Sequence, residues 1–245
     1  VMATVLEERW QWRAADAEHR RAIALDPSDS TVQQWYSEFL GRMGRHRESE
    51  RYCQRALTLD PLSPVINLSC GLAALAARLD VTGALELARR AEGLGMELRG
   101  RAAQMLIHLA VGDVRPARAM AEEGSIEAAV LDALIDPATK PLALARLESA
   151  PPGSRRVDFY LQSQTAPYIY LGEIDMAHAA ARRSIDDRSM FPADFLAPDA
   201  SHNFTRFRAD PRFQQLVRDA GLLDYWRAVA WPDLCRPKGD GVECD

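Results

Sequence analysis

Cys235 and Cys244 bracket Arg-Pro-Lys-Gly-Asp-Gly-Val-Glu near the end of the chain. Two thiols flanking a Gly/Pro-rich stretch that no helix can hold stand at the ends of a loop that closes easily. The chemistry they offer is oxidation to a disulfide, which belongs to an oxidising compartment. Metal ligation is the rival chemistry, but no histidine or further cysteine lies nearby to complete four ligands. Cys53 and Cys70 fall inside helical patterns, where a thiol acts as a small buried hydrophobe. The five histidines, His19, His46, His108, His178 and His202, are far apart, and none pairs with another at zinc-type helical spacing. Each is read as a surface or satisfied core residue, with His108, on the inward pattern of a helix expected over 97–111, as the candidate for a pH-sensitive contact. No Gly-rich phosphate loop, Gly-x-Ser-x-Gly elbow or distinctive carboxylate pair is found. The charged pairs Arg89-Arg90, Glu122-Glu123, Arg155-Arg156, Arg182-Arg183 and Asp186-Asp187 read as solvent-facing helix charge. The expectation is a protein without catalytic residues, cofactor or metal; a hydrolase or metal enzyme using the 191–208 loop and the tail is the remote alternative.

The elements that carry these residues are helices. Pro27 and Pro61, 34 residues apart, close the related strings Arg21-Ala-Ile-Ala-Leu-Asp-Pro27 and Arg55-Ala-Leu-Thr-Leu-Asp-Pro61. A fixed period of that length means stacked helix pairs rather than one globular core. Apolar residues at three- and four-residue steps place helices over 11–25, 31–43, 47–58, 64–78, 82–93 and 97–111. Ser28-Asp29-Ser30 and Ser63-Pro64 supply helix starts, and Gly44, Asp26-Pro27 and Asp60-Pro61 supply stops. Stepping one period back from Pro27 puts the start of that repeat before Val1, so its first helix is expected to be truncated. Residues 125–150 are shorter than a period and are split by Asp136-Pro137 and Thr139 into two short helices. Helices over 154–171 and 173–188 complete the run. Residues 191–208, with Phe191, Phe195, Leu196, Phe204 and Phe207, are expected as an ordered loop over the last pair. Asp210-Pro211 then starts a helix that Gly221 closes, and Leu222, Leu223, Tyr225, Trp226 and Trp231 seal the final apolar surface.

With 245 residues, 47% hydrophobic and 27% charged, the chain can bury a substantial interior. A net charge of −5 argues against a general nucleic-acid surface, and no apolar run reaches the roughly 20 residues of a membrane span. The opening residues are too acidic and amphipathic for a secretion signal.

The repeat resembles the tetratricopeptide repeat family. In 30–63, Gly44, Ala56 and Pro61 stand at its turn, small-residue and terminal-proline positions, with Tyr36, Leu40 and Cys53 at apolar ones; Gln33, Ser37 and Ser49 replace its usual tryptophan, glycine and alanine. Gly71 holds the packing-glycine position of the next repeat, where Gly95 replaces the terminal proline. Gly112 with Ala117, and Tyr168, Gly172 and Ala177, continue the register. The resemblance implies an all-α, right-handed superhelical solenoid of antiparallel helix pairs over 1–190, with a capping segment over 191–245 packed on the last repeat in the same domain. It further implies a concave face lined by the first helix of each pair, presenting Gln34, Glu38 and Arg42, then Leu68, Leu72 and Leu75, then Arg99 and Ala102. Trp35, Tyr36, Phe159, Tyr160, Tyr168 and Tyr170 either line that groove or pack inside.

Asp210-Pro-Arg-Phe-Gln-Gln-Leu-Val-Arg-Asp-Ala-Gly-Leu-Leu-Asp-Tyr-Trp-Arg227, with the Trp-Pro-Asp-Leu-Cys-Arg-Pro and Glu-Cys-Asp that follow, is similar to the end of bacterial repeat proteins of one type. In these a winged-helix DNA-binding domain or a nucleotide cyclase domain precedes a membrane helix and a sensory repeat region. This implies the C-terminal, periplasmic part of a membrane-anchored transcriptional regulator that binds a protein or peptide, without direct nucleic-acid contact and compatible with a homodimer. A cytoplasmic scaffold, or the repeat region of a cyclase signalling protein, is the alternative.

Overall fold

The computed structural model describes residues 2–78, 80–149, 165–188, 196 and 202–245. The expected features at Arg155, Arg156, Phe159, Tyr160, Phe191 and Phe195 lie outside the described residues, as does most of the helix expected over 154–171.

The first part of the chain alternates helices and tight turns: α1 (Met2–Glu8), α2 (Trp12–Leu25), α3 (Ser30–Arg42), α4 (His46–Leu59), α5 (Pro64–Arg78), α6 (Val81–Gly93), α7 (Glu97–Ala110) and α8 (Val114–Met120). Asp29 caps α3, its carboxylate accepting from the Thr31 and Val32 amides at 2.8 and 3.1 Å. Three of the turns that follow a first helix are built in one way. At Gly44, φ is +75°; its amide bonds to the Gly41 carbonyl while the Arg45 amide reaches back to the Leu40 carbonyl. Gly112 and Gly172 repeat both bonds with the same positive φ. Only a residue without Cβ adopts that conformation cheaply, so at these three turns the glycine fixes where the helix stops and the chain reverses.

Substitutions within the repeat pattern have local explanations. Ser37 and Ser49 meet where α3 crosses α4; each hydroxyl donates to the other residue's carbonyl, at 2.8 and 2.7 Å. The hydroxyls are thereby satisfied without widening the crossing. Gln33 donates to the Pro27 carbonyl at 2.9 Å, and Asn67, one period later, donates to the Pro61 carbonyl at 3.0 Å. An amide thus ties each first helix to the proline turn before it. At Gly71 an added Cβ would lie 2.9 Å from the Ala84 carbonyl oxygen, so α5 and α6 approach as closely as backbone allows.

The run continues through α9 (Ile126–Ile135), a 3₁₀ turn (Pro137–Thr139) and α10 (Lys140–Ser149), the compressed pair expected from Asp136-Pro137. It then passes to α11 (Thr165–Tyr170) and α12 (Ile174–Asp186). The architecture is an all-α solenoid of stacked antiparallel helix pairs of the tetratricopeptide type.

Two expectations are corrected. Within the segment read as a loop up to Arg208, His202–Ala209 forms helix α13, because Phe204 and Phe207, three residues apart, present one apolar edge to the core. Cys53 and Cys70 are not separate buried thiols: α4 and α5 bring them face to face, and they are bridged with Cα atoms 5.2 Å apart. Helical spacing places both inward but does not say that they meet.

After α13 come α14 (Pro211–Asp219), α15 (Leu222–Ala228) and an antiparallel hairpin of β1 (Cys235–Lys238) and β2 (Gly241–Cys244). Cys235 and Cys244 are opposite each other and bridged. Gln214 of α14 occupies the open edge of β2, accepting from the Val242 amide at 3.0 Å and donating to its carbonyl, while Pro237 removes a donor from β1. Neither strand offers a free ladder for another chain.

The tail touches both ends of the repeat array. On the last repeat, Arg212 pairs with Asp175 and Arg182 with Asp219. On the first repeats, the Trp12 indole donates to the Ala220 carbonyl at 2.7 Å and the Trp226 indole to the Met43 carbonyl at 3.2 Å. The Asp233 amide donates to the Gly44 carbonyl, and the Arg47 amide to the Asp233 carboxylate. One apolar cluster accordingly runs from Trp12, Tyr36, Phe39 and Met43 through Phe204, Phe213, Leu222 and Trp226 to Ala181 and Ile185.

Candidate functional site

The first helices α3, α5 and α7 stand side by side, and the residues expected on their shared face divide into engaged and available groups. Gln34 is buried, donating to Glu38 at 2.7 Å and lying 3.5 Å from the Ser69 hydroxyl, which itself donates to Glu38 at 2.6 Å. Arg42 reaches across to α1 and pairs with Glu7. Leu75 is buried with Leu85, Ala88 and Ile107. Leu68 and Leu72 are half-buried beside that cluster, Ala102 is half-buried, and Arg99 is exposed. The face therefore offers a hydrogen-bonded polar patch at Gln34–Glu38–Ser69 and half-open leucines beyond it. Trp35 is 39% exposed on α3, whereas Tyr36 and Tyr168 are buried and Tyr170 half-buried.

A buried polar network under α1–α4 has no counterpart in the local sequence pattern. Glu7 is 2.7 Å from His19 Nε2 and also pairs with Arg42. Burial acts to raise the Glu7 pKa, but the bonds from His19 and Arg42 outweigh it and hold the carboxyl below its ordinary range. Asp16 accepts from the Tyr36 hydroxyl at 2.8 Å and pairs with Arg20 at 3.0 Å, with Arg45 at 3.7 Å. Arg45 donates to the Tyr225 hydroxyl at 2.7 Å and pairs with Glu48. Burial, followed by Asp16, pushes both tyrosine hydroxyls well above their ordinary range, so both remain neutral, Tyr36 donating to Asp16 and Tyr225 accepting from Arg45. The charges are consumed by one another. The arrangement joins α1, α2, α3, α4 and α15 and presents no nucleophile next to an open substrate position.

The remaining histidines occupy three settings. His108 is half-buried, 3.2 Å from Asp113 at the turn into α8, and His202 is exposed at the start of α13. His46 and His178 are buried where the tail meets the repeats: His46 Nε2 donates to the Leu196 carbonyl at 2.8 Å, and His178 stacks on Phe207 at 4.2 Å.

Among the described residues no group of three or more His, Cys, Asp or Glu is placed to hold a metal ion, and no helix is long and apolar enough to cross a membrane. A cleft of about 310 Å³ between α9 and α10 is lined by Ala128, Ala129, Ile135, Leu142, Asp132 and Arg146. Its charged rim is already engaged: Arg118 bonds to Asp132 and Glu123, and Arg146 to the Gly124 and Ser125 carbonyls.

No protein-family model matches the chain, and no curated protein matches it. Among solved structures it is similar to the crystal structure of PilW, a widely conserved type IV pilus biogenesis factor. The TM-score is 0.45 at 12% sequence identity, covering 93% of this chain and 90% of that one.

Proposed function

We propose that the chain is a non-enzymatic repeat domain that binds a protein or peptide segment along the face shared by α3, α5 and α7. The observation that carries this reading is the half-open pair Leu68 and Leu72, set between the Gln34–Glu38–Ser69 patch and exposed Arg99. A bound segment would place an apolar side chain on the leucines and a backbone or side-chain donor on Glu38. Gln34, Arg42 and Leu75 act behind that surface, shaping it through their own bonds and packing rather than touching the partner.

The finer reading is a C-terminal, periplasmic sensory region of a bacterial membrane-anchored transcriptional regulator. Its support is the residue string 210–245 and the two disulfides, which suit an oxidising compartment rather than a reduced cytoplasm. A bound partner would act on the attached output domain by favouring one orientation or association state. The test is Leu68→Lys and Leu72→Lys in the intact protein in its native membrane. Loss of the regulatory response, with unfolding midpoint unchanged, is the expected outcome; an unaltered response from the double variant overturns the reading.

A further inference from the structure

The tail is fastened at each end against a buried imidazole. His46 opens α4, directly after the Gly44 turn, and is 5% exposed. Its Nε2–H donates to the Leu196 carbonyl, and Nδ1 has no hydrogen-bond partner. The charged groups that bear on it from the tail are Asp233 and Arg208, and on its own helix Arg47, whose amide binds Asp233. The turn beside it is already in tight contact with the tail: a Cβ on Gly44 would lie 2.6 Å from Pro232 and 3.0 Å from Leu196.

At the other end, His178 of α12 is 4% exposed, stacked on Phe207 of α13. Neither ring nitrogen makes a well-formed hydrogen bond; the Phe207 backbone favours the charged ring, and Nε2 stands 3.8 Å from the Asp210 carboxylate, too far for a bond. That carboxylate is occupied by the Arg212 amide and guanidinium. Asp210 and Arg212 at the start of α14, and Asp175 on α12, are the charged groups facing this imidazole.

We propose that His46 and His178 form a proton-operated latch, holding the tail across the first and last repeats while both rings are neutral and releasing it when they take up protons. In the closed form a second ring proton on His46 would find no acceptor, and a charge on His178 would be buried on a phenyl face, where Asp210 and Asp175 offset the burial and the Arg212 charge only in part. An unsatisfied donor or an unsolvated charge is costly in such a setting. Release returns both rings to water. The helices α5, α6 and α7 keep their own apolar cluster, so that part of the array stays folded.

Burial, the largest cause at both sites, lowers the two pKa values below 6.5, which gives the direction of the linkage. The open form binds protons at about 6.5 and the closed form only at lower pH. Closure is therefore complete above the ordinary histidine value and weakens as pH falls from there toward the lowered values. Each unit of lowering corresponds to about a tenfold change in the open-to-closed ratio.

The test is hydrogen exchange on the full chain at about pH 7.5 and about pH 5.5, corrected for the pH dependence of chemical exchange. Amides of 222–235 are expected to lose protection about tenfold or more relative to α5–α6 on acidification. His46→Gln and His178→Gln, which cannot titrate, are each expected to reduce that loss, and the double variant to abolish it. A wild-type tail whose protection tracks α5–α6, or a double variant that retains the full loss, overturns the proposal. Should the double variant already be open near neutral pH, the wild-type histidine resonances decide. The latch requires both rings to titrate below 6.5 in step with tail release, and titration at ordinary values with the tail closed overturns it.

Discussion

At the scale of single residues, the cost of burying charge is met by partners drawn from distant parts of the chain. Glu7 is 2% exposed, yet it is held ionised by His19 from α2 and Arg42 from α3. Its lowered pKa contributes stability that is complete above the ordinary carboxylate range and is lost as pH falls through the folded-state value. Glu7→Gln removes the charge that faces Arg42 and the carboxylate that bonds His19, so we predict a cost of about 2–4 kcal/mol near neutral pH. Urea unfolding would also show a flatter acid limb in the variant than in wild type; an equally steep limb would mean that Glu7 titrates normally. None of this is legible in the sequence. Glu7, Asp16 and Arg45 sit in helical stretches where charge ordinarily faces water, and the partner that buries Arg45 is Tyr225, from the opposite end of the chain. The same holds for His46 and His178, whose burial depends on tail residues that no local period connects to them.

At the scale of elements, the local code is explicit. Asp29, Gly44, Pro61, Gly112 and Gly172 mark helix ends by chemistry that acts within a few residues, and the helices start and stop beside them. Where the pattern departs from the repeat family, the replacement brings its own compensation, as at the Ser37–Ser49 crossing. What the code omits is the alignment of one helix against the next, which is why the Cys53–Cys70 bridge was not visible in the spacing. That bridge closes a loop of 17 residues across the junction of two repeats. Chain-entropy reasoning gives about 3 kcal/mol for a loop of this size, so Cys53→Ser with Cys70→Ser should lower stability by about 2–4 kcal/mol. Equilibrium denaturation under oxidising conditions measures this directly. Mild reductant should leave wild type unchanged until unfolding begins, because both sulfurs lie in a core only 0–1% exposed. Early loss of stability in reductant would show that the α4–α5 junction opens on its own.

At the scale of the whole molecule, the contacts differ from those of an open repeat array, in which each unit touches only its neighbours. Here α15 and the Pro232–Asp233 segment after it lie against α2–α4, while the hairpin packs on α13 and α14. Trp226 and Tyr225 are each 1% exposed, and Tyr225 meets Phe39 edge-on at 5.9 Å. Removal of 222–245 would uncover Trp12, Tyr36, Phe39 and Met43 and take from Arg45 its tyrosine partner. We therefore predict that the truncated chain loses hydrogen-exchange protection first in α1–α4, while α5–α7, with a separate core, keep theirs. If the tail acted only as a cap on the last repeat, the earliest loss would instead appear in α11 and α12, with α2 and α3 unaffected. The order of loss along the chain thus separates a terminal cap from a strap that spans the array. A strap also has a consequence for binding: its release would free the first repeats to move relative to the last, altering the curvature of the face on which Leu68 and Leu72 stand, without any change at those residues themselves.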